Sequence, residues 1–371
     1  MAKVVHIITG LNQGGAETVL TRLLENASFY DDFYIISLTG KGYYSDYIKY
    51  PIYHLNYSDP FALINSTIKL IRILRKIQPD IIQTWLYHSD LIGGVIGKIF
   101  TDASIFWNIR NGNLDPKLIS RSTWISAKIC AIFSRIIPDK IISCSTKAAA
   151  THEIFGYIGN KFIIIPNGTH FPNQVKSIKN RNTFLEKFSL PEDAILLGNI
   201  SRWNPLKDHK TLLESFSLSL SKNPNIYLLL VGNGLEEENS ELGILIDHFN
   251  LRKSVILLGQ LKDISYVLGV LDLFILSSVG EAFPNVLIEA MSYEVYCVST
   301  DVGDAAYILG DEKFIVQPQA SVELAETINY CLNLINSGTK LNKFYIDRIK
   351  NLFSIENMCL QYHLAWKEAI K

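Results

Sequence analysis

The chain has 371 residues, 48% hydrophobic and 19% charged, with a formal net charge of −1. That length exceeds a usual single domain, and the apolar share can fill two cores. The near-neutral balance and the absence of a Lys/Arg run disfavour a nucleic-acid partner. The net charge hides an asymmetry, because residues 1–170 hold 17 Lys/Arg against 12 Asp/Glu and the remainder 18 against 24. A basic amino-terminal half and an acidic carboxyl-terminal half suggest different partners.

Short apolar runs alternate with longer helical patterns, the signature of parallel βαβ units. Strands are expected at Val4–Ile8, Phe33–Leu38, Ile81–Thr84, Ile105–Asn108, Lys140–Cys144 and Phe162–Ile165. Helices are expected near Ala16–Ala27, Phe61–Ile77, Ser89–Phe100, Ile119–Ile136 and Thr146–Phe155. The polar stretch Asn167–Asn182 reads as a linker. The pattern then restarts, with strands at Ile195–Ile200, Ile226–Val231, Val255–Leu258, Leu273–Leu276, Val295–Ser299 and Phe314–Val316. Helices follow at Lys207–Ser221, Glu236–Asn250, Pro284–Tyr293, Val322–Ile335 and Ile355–Ile370. The expected domains are 1–172 and 183–353, with a last helix, 354–371, packing back on the first domain. Two doubly wound α/β domains of this kind present ligand sites at the carboxyl ends of their strands, here across a cleft.

Three segments carry chemistry. Thr9-Gly-Leu-Asn-Gln-Gly14-Gly15-Ala-Glu17 follows the first strand; Gly14 and Gly15 permit close backbone approach, and the next helix offers N–H groups to an anion. Its spacing is neither GxGxxG nor a P-loop, and a plain tight turn is the alternative. Ile200-Ser-Arg202-Trp-Asn-Pro-Leu-Lys207-Asp208 places Arg202 and Lys207 around a turn, which suits a grip on a diphosphate. Lysine in a first helical turn opposes the macrodipole unless an anion is present; a solvated basic loop is the bland reading.

The third is Ser277-Ser278-Val279-Gly280-Glu281-Ala282-Phe283-Pro284-Asn285-Val286-Leu287-Ile288-Glu289. Pro284 fits the first helical position, which leaves the amides of Asn285, Val286 and Leu287 for ligand oxygens. Glu281 precedes this helix and Glu289 lies over a turn inside it, so they can grip different parts of one ligand. The alternatives are a dipole-stabilising Glu281 and an exposed Glu289, although the apolar neighbours of Glu289 argue for a partnered carboxylate.

Glu281 and Glu289 together resemble the E-x7-E motif of retaining glycosyltransferases of the GT-B fold, family 4 in particular. Gly14-Gly15-Ala16-Glu17, Trp85-Leu-Tyr-His88-Ser-Asp, Ile165-Pro-Asn-Gly168, Arg202…Lys207-Asp208, Val231-Gly232-Asn-Gly234 and Thr300-Asp-Val-Gly303 match in family order across nearly the whole chain. The combination resembles enzymes that build bacterial surface polysaccharides. The resemblance implies that Glu281 holds sugar hydroxyls and Glu289 the ribose. Arg202 and Lys207, with the amides of Gly14 and Gly15, would neutralise a departing diphosphate, and Phe283 would line the donor pocket with the 284–287 turn. His88 would face the donor sugar. The implied reaction moves a hexose or N-acetylhexosamine, with retention, from a nucleotide-sugar substrate (UDP before GDP). No cofactor is implied. The sequence has no Asp-x-Asp and no metal-ligand spacing, so a metal-independent enzyme is expected. Ala282 stands where the family often has Gly, and Glu294 where Gly often ends the helix.

Five scattered cysteines without a CxxC pair fit a reducing cytosol. The start is too short for a signal peptide and reads as a strand, and no apolar run reaches membrane-spanning length. The segment Lys117–Lys140 interleaves Lys117, Arg121, Lys128, Arg135 and Lys140 with Trp124 and several isoleucines, which suits an anionic membrane surface. The basic, apolar stretch Phe61–Ile77 reads equally as a membrane face or a core-facing helix. A polyprenyl-diphosphate-linked glycan acceptor and a cytoplasmic, peripheral location at the inner membrane face are therefore expected. A nucleotide-sugar epimerase of the same fold and a non-catalytic subunit are the competing readings.

Overall fold

The structure is a computed structural model that describes residues 2–27, 31–117, 119–172, 175, 177–339, 341 and 343–370. Positions 173, 174 and 176 of the expected linker lie outside the described residues. The chain divides into two compact units, Met1–Gly168 with Phe353–Lys371, and Thr169–Leu352.

In the first unit the chain runs β1 (Lys3–Ile8), α1 (Gly15–Asn26), β2 (Asp32–Ser37), β3 (Ile52–His54), α2 (Leu63–Ile77), β4 (Ile81–Trp85), α3 (Tyr87–Phe100), β5 (Ser104–Ile109), α4 (Arg121–Phe133), β6 (Lys140–Ser143), α5 (Thr146–Phe155) and β7 (Phe162–Ile164). The parallel sheet has the order β3-β2-β1-β4-β5-β6-β7. Its central strands are buried on both faces, mainly by apolar residues with His6, Gln83, Thr84 and Asn108 among them. One core gathers Leu20, Leu24, Phe33 and Trp85 with Tyr362 and Trp366 of the last helix, and the other gathers Ile36, Leu74, Ile82, Ile105 and Trp107. α2 packs on α3, and α3 on α4.

The second unit runs α6 (Ile178–Lys187), β8 (Ile195–Ile200), α7 (His209–Leu220), β9 (Ile226–Val231), α8 (Ser240–His248), β10 (Val255–Gly259), α9 (Ser265–Leu268), β11 (Leu273–Leu276), α10 (Asn285–Ser292), β12 (Tyr296–Thr300), α11 (Ala305–Leu309), β13 (Ile315–Val316), α12 (Ser321–Asn336) and α13 (Lys343–Leu352). Its parallel sheet has the order β10-β9-β8-β11-β12-β13. The last helix, α14 (Ile355–Ala369), belongs to the first unit, where it packs on α1.

Each sheet reverses its strand order at one place, between β1 and β4 in the first and between β8 and β11 in the second. Loops leaving the carboxyl ends of such strand pairs form the ligand crevice of doubly wound sheets. The four loops are 9–14, 86 with the start of α3, 201–208 and 277–284. They carry Gly14, His88, Arg202 with Lys207, and Glu281.

Candidate active site

In the second unit the site is built on two loops that brace each other. The β8 loop passes under Gly232, whose left-handed backbone (φ +141°) lies so close that a Cβ would sit 1.9 Å from the Ser201 carbonyl oxygen. Only glycine fits there. Asn204 then caps a 3₁₀ turn, Pro205–Lys207, by accepting from the Leu206 N–H at 3.0 Å. Asp208 caps α7 in turn, accepting from the Thr211 N–H at 3.2 Å.

The β11 loop docks on this turn. Val279 N–H donates to the Leu206 carbonyl at 2.8 Å, and the Ser277 hydroxyl donates to the Lys207 carbonyl at 2.9 Å. That contact brings Lys207 Nζ onto Glu281 Oε1 as a close ion pair with both side chains mostly covered. The Ser278 hydroxyl donates to the same oxygen at 2.8 Å. Behind the loop stands Gly303 (φ +48°), where a Cβ would lie 2.2 Å from the Ala282 carbonyl oxygen and 2.7 Å from that of Glu281. Thr300 donates to the Ser278 carbonyl at 2.6 Å. Glu281 is therefore held by β8, β11 and β12 together.

Arg202 is exposed and makes no hydrogen bond or ion pair among the described residues. Glu289, inside α10, is buried at 9% exposure, which removes the reading as an ordinary surface residue. Phe283, Leu287 and Ala282 are buried beside it. Below the Arg202 loop, His209 Nε2 lies 3.0 Å from Ser201 Oγ, and its ring packs against Trp203. Burial, with a smaller contribution from the Lys207 charge, lowers the His209 pKa to about 4.

In the first unit Gly14 caps α1 with extended backbone, and the space that a Cβ on Gly15 would take is open. The Glu17 carboxylate folds back over Gly14. Burial raises the Glu17 pKa, although its own backbone N–H opposes the shift. His88 sits in the first turn of α3, half-buried, and burial lowers its pKa. Leu86, which starts that turn, has φ +72° and ψ +155°, a region almost reserved for glycine.

Residues 180–345 match the family model described as "Glycosyl transferases group 1". The capsular polysaccharide biosynthesis glycosyltransferase CapM of Staphylococcus aureus is 25% identical over 91% of this chain and 88% of its own. The uncharacterized glycosyltransferase MJ1059 of Methanocaldococcus jannaschii is 28% identical over 65% of this chain and 60% of its own. Among solved structures, Anabaena HepE in complex with UDP superposes with a TM-score of 0.85 at 18% identity, covering 99% of this chain and 100% of that one. The chain is a glycosyltransferase of the GT-B fold.

The structure of this transferase corrects three expectations. Lys207 is not in the first turn of a helix; it ends the 3₁₀ turn ahead of the α7 cap, and its anion here is Glu281. Pro284 caps α10 rather than occupying its first position, because its ψ of +91° is extended. The Leu287 amide is not free: it donates to the Pro284 carbonyl at 3.0 Å. Ser278 and Gly303, which hold Glu281, and Leu86 stand inside the motifs read from the sequence, but spacing gave them no role of their own. The positive φ of Glu294 (+57°) is the left-handed helix end that its position implied.

Proposed function

We propose that this transferase is a retaining enzyme of family 4. It moves a hexose or N-acetylhexosamine from a UDP-sugar to a lipid-linked or polysaccharide acceptor in surface-glycan synthesis. The observation that carries the reading is the braced Lys207–Glu281 pair beside the unpaired guanidinium of Arg202. A diphosphate is the anion that a lysine and a free arginine on one turn can both hold. Glu281, released from part of its charge pairing, is placed to accept from sugar hydroxyls, and the buried Glu289 holds the ribose. Gly14, Gly15, Phe283, Pro284, Asn285 and Val286 complete the donor-binding set, and His88 faces the transferred sugar.

Reaction on this reading needs no protein nucleophile. The acceptor hydroxyl oxygen bonds to the anomeric carbon on the face from which the diphosphate leaves. The sugar–phosphate bond breaks, and a phosphate oxygen takes the acceptor proton. Arg202 and Lys207 stabilise the charge that develops on the leaving group, so the proposal assigns no metal. The names of similar proteins support donor and acceptor class. HepE is described in complex with UDP-glucose. An Escherichia coli relative, 23% identical over 78% of this chain and 79% of its own, is named UDP-Gal:alpha-D-GlcNAc-diphosphoundecaprenol alpha-1,3-galactosyltransferase.

The membrane part of the proposal has a surface to support it. No helix among the described residues is long and apolar enough to cross a membrane. The adjoining helices α2, α3 and α4 carry Lys69, Arg72, Arg75, Lys98, Arg121 and Lys128, and Asp90, the acid on them, is buried. Phe61, Ile64, Ile99 and Ile132 are exposed on or beside them. Basic groups among exposed apolar ones suit the anionic inner face of the cytoplasmic membrane.

Thermal shifts with UDP- and GDP-sugars test the donor, since a bound ligand raises apparent stability by mass action. NMR of the product's anomeric proton tests retention; an inverted product would overturn the mechanism. Activity lost in chelator and restored by manganese would overturn metal independence. Liposome flotation without preference for anionic lipid would remove the membrane assignment.

A further inference from the structure

The turn that follows β4 is strained and tied down at every residue but one. Leu86 stands in a backbone region that costs a non-glycine residue energy and persists only where the surroundings enforce it. Its N–H donates to the Asn108 carbonyl at 3.3 Å, and its carbonyl accepts from the Asp90 N–H at 3.0 Å. The Tyr87 hydroxyl lies 2.7 Å from His152 Nε2. His152 Nδ1 lies 2.7 Å from the Ala148 carbonyl, which can only accept. The proton is therefore on Nδ1, and Tyr87 donates to Nε2. Ser89 Oγ is 3.1 Å from Thr9 Oγ1, at the end of β1.

Asp90 closes the set. Its Oδ1 lies 2.5 Å from Thr84 Oγ1, which is itself 3.1 Å from the Phe106 carbonyl oxygen. Thr84 has a single hydroxyl proton and cannot give it to both oxygens. A protonated Asp90 resolves the count: its hydroxyl donates to Thr84, and Thr84 donates on to Phe106. Asp90 is fully buried, and none of its partners among the described residues is a cation. Burial raises its pKa well above its usual value against the opposing hydrogen bonds of Thr84 and the Asn108 backbone.

His88 is the exception. Its side chain makes no hydrogen bond or ion pair among the described residues and is only half-buried. The geometry points to Tyr87 and a neutral Asp90 as positioning residues. They clamp the strained turn from β5, α5 and β4 so that His88 is presented in one orientation at the strand ends. This inference deepens the reading of His88 in the proposed function and depends on it.

The test uses the full chain, with turnover of a UDP-sugar, its KM, and the His88 ring pKa from NMR titration. Tyr87→Phe removes one hydroxyl from a buried ring and should leave the fold and the donor KM unchanged, with kcat at least tenfold lower. Asp90→Ala should lower kcat further and return the His88 pKa towards 6.5 as the turn relaxes into water. Asp90→Asn, whose amide donates to Thr84 as the protonated acid does, should restore kcat to within a few-fold and the His88 pKa to its depressed position. An Asn variant as inactive as Ala would overturn the neutral role, as would wild-type kcat in both Tyr87→Phe and Asp90→Ala. His88→Ala separates the two levels. If it is fully active, the assignment of His88 fails; if it is inactive while Tyr87→Phe and Asp90→Ala are active, only the positioning role fails. Should Asp90→Ala not fold, Tyr87→Phe decides.

Discussion

Gly303→Ala should damage the site without substituting any residue proposed to contact substrate. At φ +48° an alanine costs about 1 kcal/mol of backbone strain. Its Cβ would stand 2.2 Å from the Ala282 carbonyl oxygen, well inside contact, so the backbone of 281–282 must retreat by roughly 1 Å. Glu281 moves with it and loses register with Lys207 and Ser278. A misplacement of about 1 Å in a positioning element costs on the order of 10²-fold in rate. The expected result is kcat/KM down by that factor, with stability lower by about 1–3 kcal/mol. Gly310→Ala is the control. It has the same left-handed backbone (φ +68°), and the nearest atoms to its Cβ belong to the Arg348 side chain. It should lose comparable stability and keep its activity. Steady-state kinetics and thermal melts of the two proteins decide the matter. Wild-type kcat/KM in Gly303→Ala, or equal losses in both, would refute the bracing of Glu281 by β12.

Glu294→Gly should stabilise the protein by about 1 kcal/mol, since an exposed glutamate now holds the left-handed position at the end of α10; an unchanged or lower melting temperature contradicts it. In a double-mutant cycle on stability, Lys207→Met and Glu281→Gln should couple by about 1 kcal/mol, a partly covered pair being discounted for solvent screening. Additive losses would mean that the pair is incidental. His209 has a folded pKa of about 4 against 6.5 unfolded, so the unfolded chain binds the extra proton between those values. Stability from this group is complete above pH 6.5 and lost as pH falls towards 4. Denaturant melts from pH 4.5 to 6 should show one proton less of pH dependence in His209→Gln.

The alternation of strand and helix was legible because the central strands are buried on both faces and read as short, mainly apolar runs. Ile195–Ile200, Ile226–Val231 and Leu273–Leu276 lie where the runs placed them. Ile52–His54, only partly buried at the sheet edge, has no such run. α6, α9, α11 and α13 are short or polar and draw their order from tertiary contact rather than from periodicity. The segment 240–248 is shorter than its apolar pattern because Asn239 caps it late. Leu86 could not be anticipated at all, since its conformation goes with its own bonds to Asn108 and Asp90 and with the anchoring of Tyr87 on His152 and of Asp90 on Thr84.

The candidate residues could be named from the sequence by type and position, but the pairing of Lys207 with Glu281 could not. Sequence spacing put Lys207 and Glu281 at opposite roles, one towards phosphate and one towards sugar, and argued for an anion from the cost of a lysine at a helix start. Folding supplies that anion from 74 residues away. The consequence is chemical. A loop carrying Arg202, Lys207 and no counter-charge would be costly to hold in place before a ligand arrives, whereas the Glu281 carboxylate neutralises Lys207 and keeps both side chains ordered. On the proposed reading, an incoming diphosphate competes with Glu281 for the ammonium group, and its success leaves a carboxylate with open acceptor positions beside it. In that proposal, charge on the leaving group and hydrogen bonding to the sugar are coupled through one ion pair, which neither residue discloses alone.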